Sequence, residues 1–107
     1  MNLDSYKIVK EFIDDTKKIL KKNIIKKYLF GSYAKNQQNE WSDIDVLIIV
    51  KQLDNKIRKE ISSLSSDYSI NKDILISPIL KDIDVWEKNK AHNTLFYKEI
   101  EKYGIEL

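Results

Sequence analysis

The sequence contains no cysteine, a single proline, two glycines and no long apolar run. Without cysteine there is no disulfide, no thiolate nucleophile and no cysteine-bound zinc. The longest unbroken apolar stretch runs from Val46 to Val50, far below the ~20 residues that a membrane-spanning helix needs, and no N-terminal segment resembles a signal peptide. We therefore expect a cytoplasmic protein that makes no contact with a membrane.

A strong excess of one charge sign is also missing, because the net charge is only +2. The lysine-dense segment KKILKKNIIKK, residues 17–27, is interpreted as the solvated face of a helix, so direct nucleic-acid binding is not expected. The 107 residues are 42% hydrophobic and 34% charged, which is typical of a folded globular chain. This length predicts a single domain, residues 1–107, with no room for a second core.

Apolar spacing predicts six elements in the order helix, strand, strand, helix, strand, helix. In that order they are a helix at 3–22, strands at 26–30 and 42–50, a helix starting near Asp54, a strand at 72–80, and a helix that Asn93 or Thr94 caps and Gly104 ends in a left-handed conformation. This order, without repeats or linkers, predicts an α/β or α+β domain with helices on a small mixed sheet.

The strand at 42–50 ends in continuous apolar residues, so it should be buried on both faces and central in the sheet. Pro78 should mark the edge or the end of the third strand, because proline cannot donate to a strand ladder. The two tryptophans, Trp41 and Trp86, are expected in the core or at an interface, and His92 on the surface.

Two aspartates, Asp43 and Asp45, lie at the N-terminal end of the predicted strand at 42–50, just before its apolar run. Alternate residues of a strand project to one side, so the two carboxylates can converge on a divalent cation such as Mg²⁺, which takes its other ligands from substrate phosphates and water. Asp73, at the start of the third predicted strand, would complete a triad if that strand pairs beside the second. The alternative is that Asp43 is a solvated strand end in an ordinary turn with Ser42.

The preceding Gly31-Ser32 pair follows a strand and could begin a short helix. Glycine has no side chain to keep a phosphate away, so backbone N–H groups and the Ser32 hydroxyl could face an anion. A second Asp-x-Asp, at Asp82 and Asp84, lacks both the Gly-Ser turn and the apolar strand, and is interpreted as a loop and helix start. Tyr33 lies beside the turn and could touch a nucleotide.

The run GSYAKNQQNEWSDIDVLIIV, with the later LFYKEIEKYG, resembles the signature of the DNA polymerase β-like nucleotidyltransferase superfamily, and specifically its minimal nucleotidyltransferase branch. The resemblance implies that Gly31 and Ser32 bind the triphosphate. It also implies that Asp43 and Asp45 are catalytic ligands of two Mg²⁺ ions, with Mn²⁺ as a substitute, and that Asp73 is a third catalytic metal ligand near the acceptor hydroxyl.

Two residues depart from the family pattern, in which arginine and then glycine are usual. Lys35 keeps the positive charge and remains a candidate nucleotide-binding residue, but it lacks the two-pronged guanidinium of arginine. Asn36 replaces glycine, and asparagine is the other residue that readily adopts a left-handed conformation, so the turn should survive.

The resemblance further implies transfer of a nucleoside monophosphate, AMP from ATP, to a hydroxyl. Members of this branch commonly act as antitoxins of HEPN-family toxin proteins, and some adenylylate a toxin tyrosine. Two alternatives stay open: a binding module that neutralises its toxin by occlusion alone, and an enzyme that modifies a small molecule. The second alternative usually requires an acceptor domain for which this chain has no room.

Overall fold

The computed structural model describes residues 3–40 and 42–107, so the expectation for Trp41 lies outside the described residues. The chain forms a four-stranded mixed sheet with helices on both faces. In chain order the elements are α1 Leu3–Leu20, a 3-10 helix Lys21–Asn23, β1 Ile24–Phe30, α2 Gly31–Ala34, β2 Ile44–Val50, α3 Asn55–Lys72, β3 Ile76–Asp82, α4 Ile83–Ala91, α5 Leu95–Tyr103 and β4 Ile105–Glu106. This architecture confirms the predicted fold class.

The strands are arranged in the order β3-β2-β1-β4. β1 is antiparallel to both β2 and β4, whereas β2 and β3 are parallel, which makes the sheet mixed. The predicted central position of β2 is confirmed, and β3 is an edge strand, as Pro78 indicated. β4 was not predicted, because two residues carry too little pattern to be recognised as a strand.

The continuous apolar run of β2 supplies two hydrophobic cores, one on each face of the sheet. α1 and α3 cover one face, where the buried residues of β2 are Ile44, Val46, Ile48 and Val50. α4 and α5 cover the other face, where Leu47 and Ile49 of β2 pack with Phe30, Trp86 and Ile100. Because alternate strand residues face opposite sides, burial on both faces requires the unbroken apolar sequence.

Side-chain caps begin three of the helices. Asp54 accepts from the Ile57 N–H, Asp82 from the Val85 N–H and Thr94 from the Tyr97 N–H. These contacts confirm the predicted caps of α3 and α5, and they confirm Asp82 as a helix start. Trp86 is buried and His92 is exposed at the end of α4, as expected.

The predicted stop of α5 at Gly104 is confirmed, but the predicted conformation of Gly104 and the predicted starts of the three strands differ from the structure, where β1 begins at Ile24 and β2 at Ile44. Gly104 does not end α5 in a left-handed conformation, because its φ is −62° and the chain continues directly into β4. The third strand begins at Ile76 and not at residue 72, since α3 extends through a polar stretch to Lys72. Among the described residues, no helix has the length and apolar character needed to cross a membrane.

Candidate active site

The Gly-Ser turn follows β1 directly, because α2 begins at Gly31. Gly31 has a φ of +73°, a left-handed conformation that only glycine adopts without steric cost. The Lys35 N–H donates to the Gly31 carbonyl at 3.2 Å, and the Gln37 N–H donates to the Ser32 carbonyl at 2.8 Å. Asn36 has a φ of +57°, which confirms that asparagine supports the turn at this position.

Gly31 lies directly against the Asp45 carboxylate. A β-carbon placed on Gly31 would overlap Asp45 Oδ2 and would lie 3.1 Å from Asp45 Cγ. The strand register explains this approach, since Phe30, the residue before the turn, pairs with Asp45 across β1 and β2. The fold therefore brings the candidate phosphate turn into contact with one of the candidate metal ligands.

Asp43 and Asp45 are half-buried at the beginning of β2. Asp45 belongs to the strand, whereas Asp43 precedes its first residue. Ser77 of β3 pairs with Asp45 in the parallel register, and the Ser77 Oγ donates a hydrogen bond to Asp43 Oδ2 at 3.0 Å. Because paired residues of neighbouring strands project to the same side, both carboxylates lie on one side of the sheet, as strand alternation predicted.

The environment of Asp45 opposes its negative charge. Burial raises the pKa of Asp45, and the negative charge of Asp43 raises this pKa further. A divalent cation bound by both carboxylates would offset these two effects. One or two carboxylates, completed by water and substrate phosphates, form a usual donor set for Mg²⁺, so Asp43 and Asp45 fit the metal that the sequence analysis implied.

Asp73 does not lie on β3, contrary to the sequence prediction. It is the exposed C-cap residue of α3, with a φ of +51°, and β3 begins three residues later. Within residues 3–40 and 42–107, no group of three or more His, Cys, Asp and Glu side chains could hold a metal ion. The predicted triad is therefore not assembled, although Asp73 and Asp43 both line an open cavity of about 410 Å³ that also includes Tyr33.

Lys35 lies at the end of the turn but points to α5. Its Nζ is 2.7 Å from Glu99 Oε1 and 4.9 Å from the centre of the Tyr103 ring. The hydrogen bond that the Lys35 ammonium donates to the Glu99 carboxylate raises the pKa of Lys35. Binding of a phosphate by Lys35 would therefore compete with Glu99, and its nucleotide-binding role stays a prediction.

Sequence reasoning missed two contacts of this site, those of Ser77 and Glu99. A serine in a predicted strand carries no functional signal until the register shows that it pairs with Asp45. Glu99 belongs to the polar face of a predicted helix, and nothing in its local sequence indicates that Lys35 is its partner. Both contacts depend on long-range pairing, which local periodicity does not encode.

A larger cavity of about 560 Å³ lies elsewhere, between the sheet and the helices α4 and α5. Its wall includes Tyr28, Ile49, Trp86 and Tyr97, and none of the predicted site residues. The Gly31–Asp45 region remains the candidate site although the cavity beside Asp43 is smaller, because this region combines a phosphate-compatible turn with paired carboxylates.

Comparison with known proteins identifies the family of the chain. Residues 9–107 match the family model described as "Nucleotidyltransferase domain". Two proteins of Methanocaldococcus jannaschii, both named "Putative protein adenylyltransferase", are 41% identical over 106 residues and 36% identical over 97 residues. The first match covers 98% of this chain and 100% of that protein, and the second covers 88% of this chain and 89% of that protein.

Among solved structures, a toxin-antitoxin crystal structure with AMP-PNP has a similar fold, with a TM-score of 0.57 and 24% identity, over 90% of this chain and 69% of that chain. A second toxin-antitoxin structure, of MntA-HpeT, has a TM-score of 0.56 and 22% identity, over 88% of this chain and 68% of that chain. The family model and the two archaeal relatives cover nearly the whole chain, and the residues of the predicted site lie within the matched region. The chain therefore belongs to the nucleotidyltransferase domain family.

Proposed function

We propose that this nucleotidyltransferase is a Mg²⁺-dependent cytoplasmic protein adenylyltransferase, with Mn²⁺ as a substitute. It would transfer AMP from ATP to a tyrosine hydroxyl of a cognate HEPN-family toxin and thereby act as its antitoxin. The observation that carries the proposal is the contact between Gly31 and Asp45, next to Asp43. A triphosphate on the turn would have its reacting phosphate beside the two carboxylates that hold the metal.

The residues of the turn bind the nucleotide in this proposal. The missing side chain of Gly31 allows a phosphate to approach the backbone, and the N–H groups and hydroxyl of the turn donate to its oxygens. Asp43 and Asp45 hold the metal ions. Metal ions held there would supply Lewis-acid chemistry, which would lower the pKa of the attacking hydroxyl and offset negative charge on the departing pyrophosphate.

The reaction is an in-line displacement at the α-phosphorus of ATP. The tyrosine oxygen forms a bond to that phosphorus, the bond from the α-phosphorus to the oxygen bridging to the β-phosphorus breaks, and pyrophosphate leaves with the electron pair. We propose that Asp73 acts on the acceptor side of the cavity that it shares with Asp43, and that it accepts the tyrosine proton.

Two findings support a protein acceptor. Both archaeal relatives carry a name that describes transfer to protein, and the neighbouring fold with AMP-PNP is a toxin-antitoxin structure. The cavity beside Asp43 is open at the surface, where a partner could present a side chain. A docked partner would supply the orientation that contributes ~7 to 11 kcal/mol in reactions with well-positioned reactants.

To test this proposal, the protein is incubated with the protein that the neighbouring gene encodes, with Mg²⁺ and with ATP labelled at its α-phosphate. We expect label on a tyrosine of the partner, located by mass spectrometry, and loss of label with Asp45→Asn and with Asp73→Asn while partner binding persists. Asp84→Asn is the matched control, because Asp84 belongs to the Asp-x-Asp at the start of α4 and should leave labelling unchanged.

The rival function, neutralisation by occlusion, predicts a different result. If Asp45→Asn and Asp73→Asn neutralise the partner as well as the unmutated protein does, and no nucleotide labels the partner, the enzymatic proposal is wrong.

A further inference from the structure

The hydroxyl of Ser77 contacts the candidate site from β3. Its Oγ lies 3.0 Å from Asp43 Oδ2, in a half-buried position. The backbone register places Ser77 opposite Asp45 at the same time. One serine is therefore adjacent to both carboxylates, through its side chain in one case and through strand pairing in the other.

Asp43 and Asp45 differ in how the fold holds their backbone. Asp45 lies within β2, between two paired strands, whereas Asp43 precedes the strand and follows a turn. That turn is closed by the Asn39 N–H, which donates to Ser42 Oγ at 3.0 Å, and by the Ser42 N–H, which donates to the Asn39 carbonyl at 3.1 Å. These bonds hold the backbone before Asp43, but they do not orient its carboxylate.

The backbone after Asp43 is also attached to the segment that carries Ser77. The Ile44 N–H donates to the Leu75 carbonyl at 2.9 Å, just before β3 begins. This bond places the start of β3 beside Asp43, which brings the Ser77 hydroxyl within hydrogen-bond distance of the Asp43 carboxylate. Pro78 follows Ser77, fixes its own φ and disfavours helical backbone at Ser77, so the backbone that carries the hydroxyl is held in an extended conformation.

We propose that Ser77 is a positioning residue for metal binding, and that its hydroxyl orients the Asp43 carboxylate toward the cation shared with Asp45. This inference rests on the proposed function and adds a residue to it. Hydrogen-bond partners of metal-ligating carboxylates fix ligand orientation, and their removal typically costs about 10- to 100-fold in metal affinity or activity. Ser77 occupies the register position opposite Asp45, so a neutral hydrogen-bond donor lies beside the two carboxylates.

The test compares Ser77→Ala with Ser77→Thr, which keeps a hydroxyl and suits a strand. Ser65→Ala is the matched control, since the Ser65 Oγ donates to the Ile76 carbonyl of the same strand, outside the site. The first readout is Mn²⁺ binding to the nucleotide-free protein, measured by electron paramagnetic resonance and calorimetry. The second is partner labelling with ATP, and thermal unfolding in EDTA reports on the fold.

We expect Ser77→Ala to weaken Mn²⁺ binding by about tenfold or more, with Ser77→Thr within about threefold of the unmutated protein. Ser65→Ala should lower the melting temperature while leaving Mn²⁺ binding unchanged. Unchanged Mn²⁺ binding by Ser77→Ala, or equal weakening by Ser65→Ala, would overturn the role of Ser77 and leave the proposed function intact. An unmutated protein that binds neither Mn²⁺ nor Mg²⁺-ATP would overturn both.

Discussion

Gly31 has a left-handed backbone, and the Asp45 carboxylate occupies the space that a β-carbon on this residue would need. Each of these two features alone would favour glycine. We expect Gly31→Ala to lose about 1 to 2 kcal/mol of stability from the backbone conformation. It should also abolish nucleotide transfer, because the new methyl group displaces Asp45. Partner labelling and chemical denaturation measure the two effects separately.

Gly104→Ala is the control for this substitution. Its β-carbon would lie 2.5 Å from the Ile100 carbonyl oxygen, but Gly104 has an ordinary φ, and the three atoms nearest to that β-carbon all belong to Ile100. We expect a loss of about 1 to 3 kcal/mol from overpacking, with transfer retained. Full transfer by a folded Gly31→Ala variant would exclude a role for the turn in phosphate binding.

Asp45 should destabilise the metal-free fold, because its charge is half-buried and repelled by Asp43. Asp45→Asn is therefore expected to raise the melting temperature in EDTA at pH 7. The corresponding gain in the free energy of unfolding is up to about 1 kcal/mol after allowance for solvent screening. Since the folded-state pKa of Asp45 is raised, the penalty exists above that pKa. It fades as the pH falls through the raised pKa toward the ordinary value of 3.8.

Thermal unfolding of Asp45→Asn between pH 4 and pH 8 checks this expectation. Asp84→Asn removes the same charge from the first turn of α4, where a negative charge is favourable, and should lower stability by about 0.3 to 1 kcal/mol. A lower melting temperature for Asp45→Asn at pH 7 would show that Asp45 has a structural role.

At the scale of elements, α1 and α3 are joined by a side-chain hydrogen bond as well as by packing. The Tyr68 hydroxyl donates to Asp15 Oδ2 at 2.6 Å, and the Tyr68 ring packs edge-on against Phe12, with centroids 5.3 Å apart. Burial, and then the hydrogen bond to Asp15, raise the pKa of Tyr68, so this contribution to stability is present throughout the neutral range. It is lost only above the ordinary tyrosine pKa of about 10.

Tyr68→Phe should cost about 1.5 to 3 kcal/mol, because it removes a hydrogen bond to a charged acceptor while keeping the ring. Chemical denaturation of this variant, with and without Asp15→Asn in a double-mutant cycle, measures the coupling. Nucleotide transfer should be unaffected, since the bond lies on the sheet face opposite the carboxylates. A loss of transfer comparable to that of Asp45→Asn would show that the hydrogen bond between Tyr68 and Asp15 contributes to the site.

Most elements could be predicted from the sequence because their signals are local. The caps at Asp54 and Thr94 and the apolar run of β2 each report on a few neighbouring residues. The end of α3 could not be predicted, because its last turn carries no apolar stripe and Asp73 closes it in a left-handed conformation. Because the end of α3 was predicted too early, Asp73 was expected at the start of β3. In the structure it is the C-cap of α3, so the expected triad of carboxylates does not form.

At the scale of the whole molecule, the larger of the two cores lies between the sheet and the helices α1 and α3. Phe12, in the α1–α3 core, is fully buried. Phe12→Ala should cost about 3 to 5 kcal/mol, a large part of the ~5 to 15 kcal/mol that stabilises a typical domain. Leu95→Ala is the control, because Leu95 is 85% exposed and should change the free energy of unfolding by less than about 0.5 kcal/mol.

Urea denaturation followed by circular dichroism compares the two variants. A loss below about 1 kcal/mol for Phe12→Ala would mean that the α1–α3 core is not the main source of stability.

The contacts that Ser77 and Glu99 make with the candidate site have a consequence for folding during synthesis, because both residues come late in the chain. Gly31, Ser32, Asp43 and Asp45 all occur in the first half of the chain, yet the Ser77 hydroxyl and the Glu99 carboxylate that contact this region come from its second half. Contacts between residues so distant in sequence form late, since loop closure must precede them. A nascent chain therefore displays the turn and the acidic pair before it can orient them, and nucleotide binding should report completion of the fold.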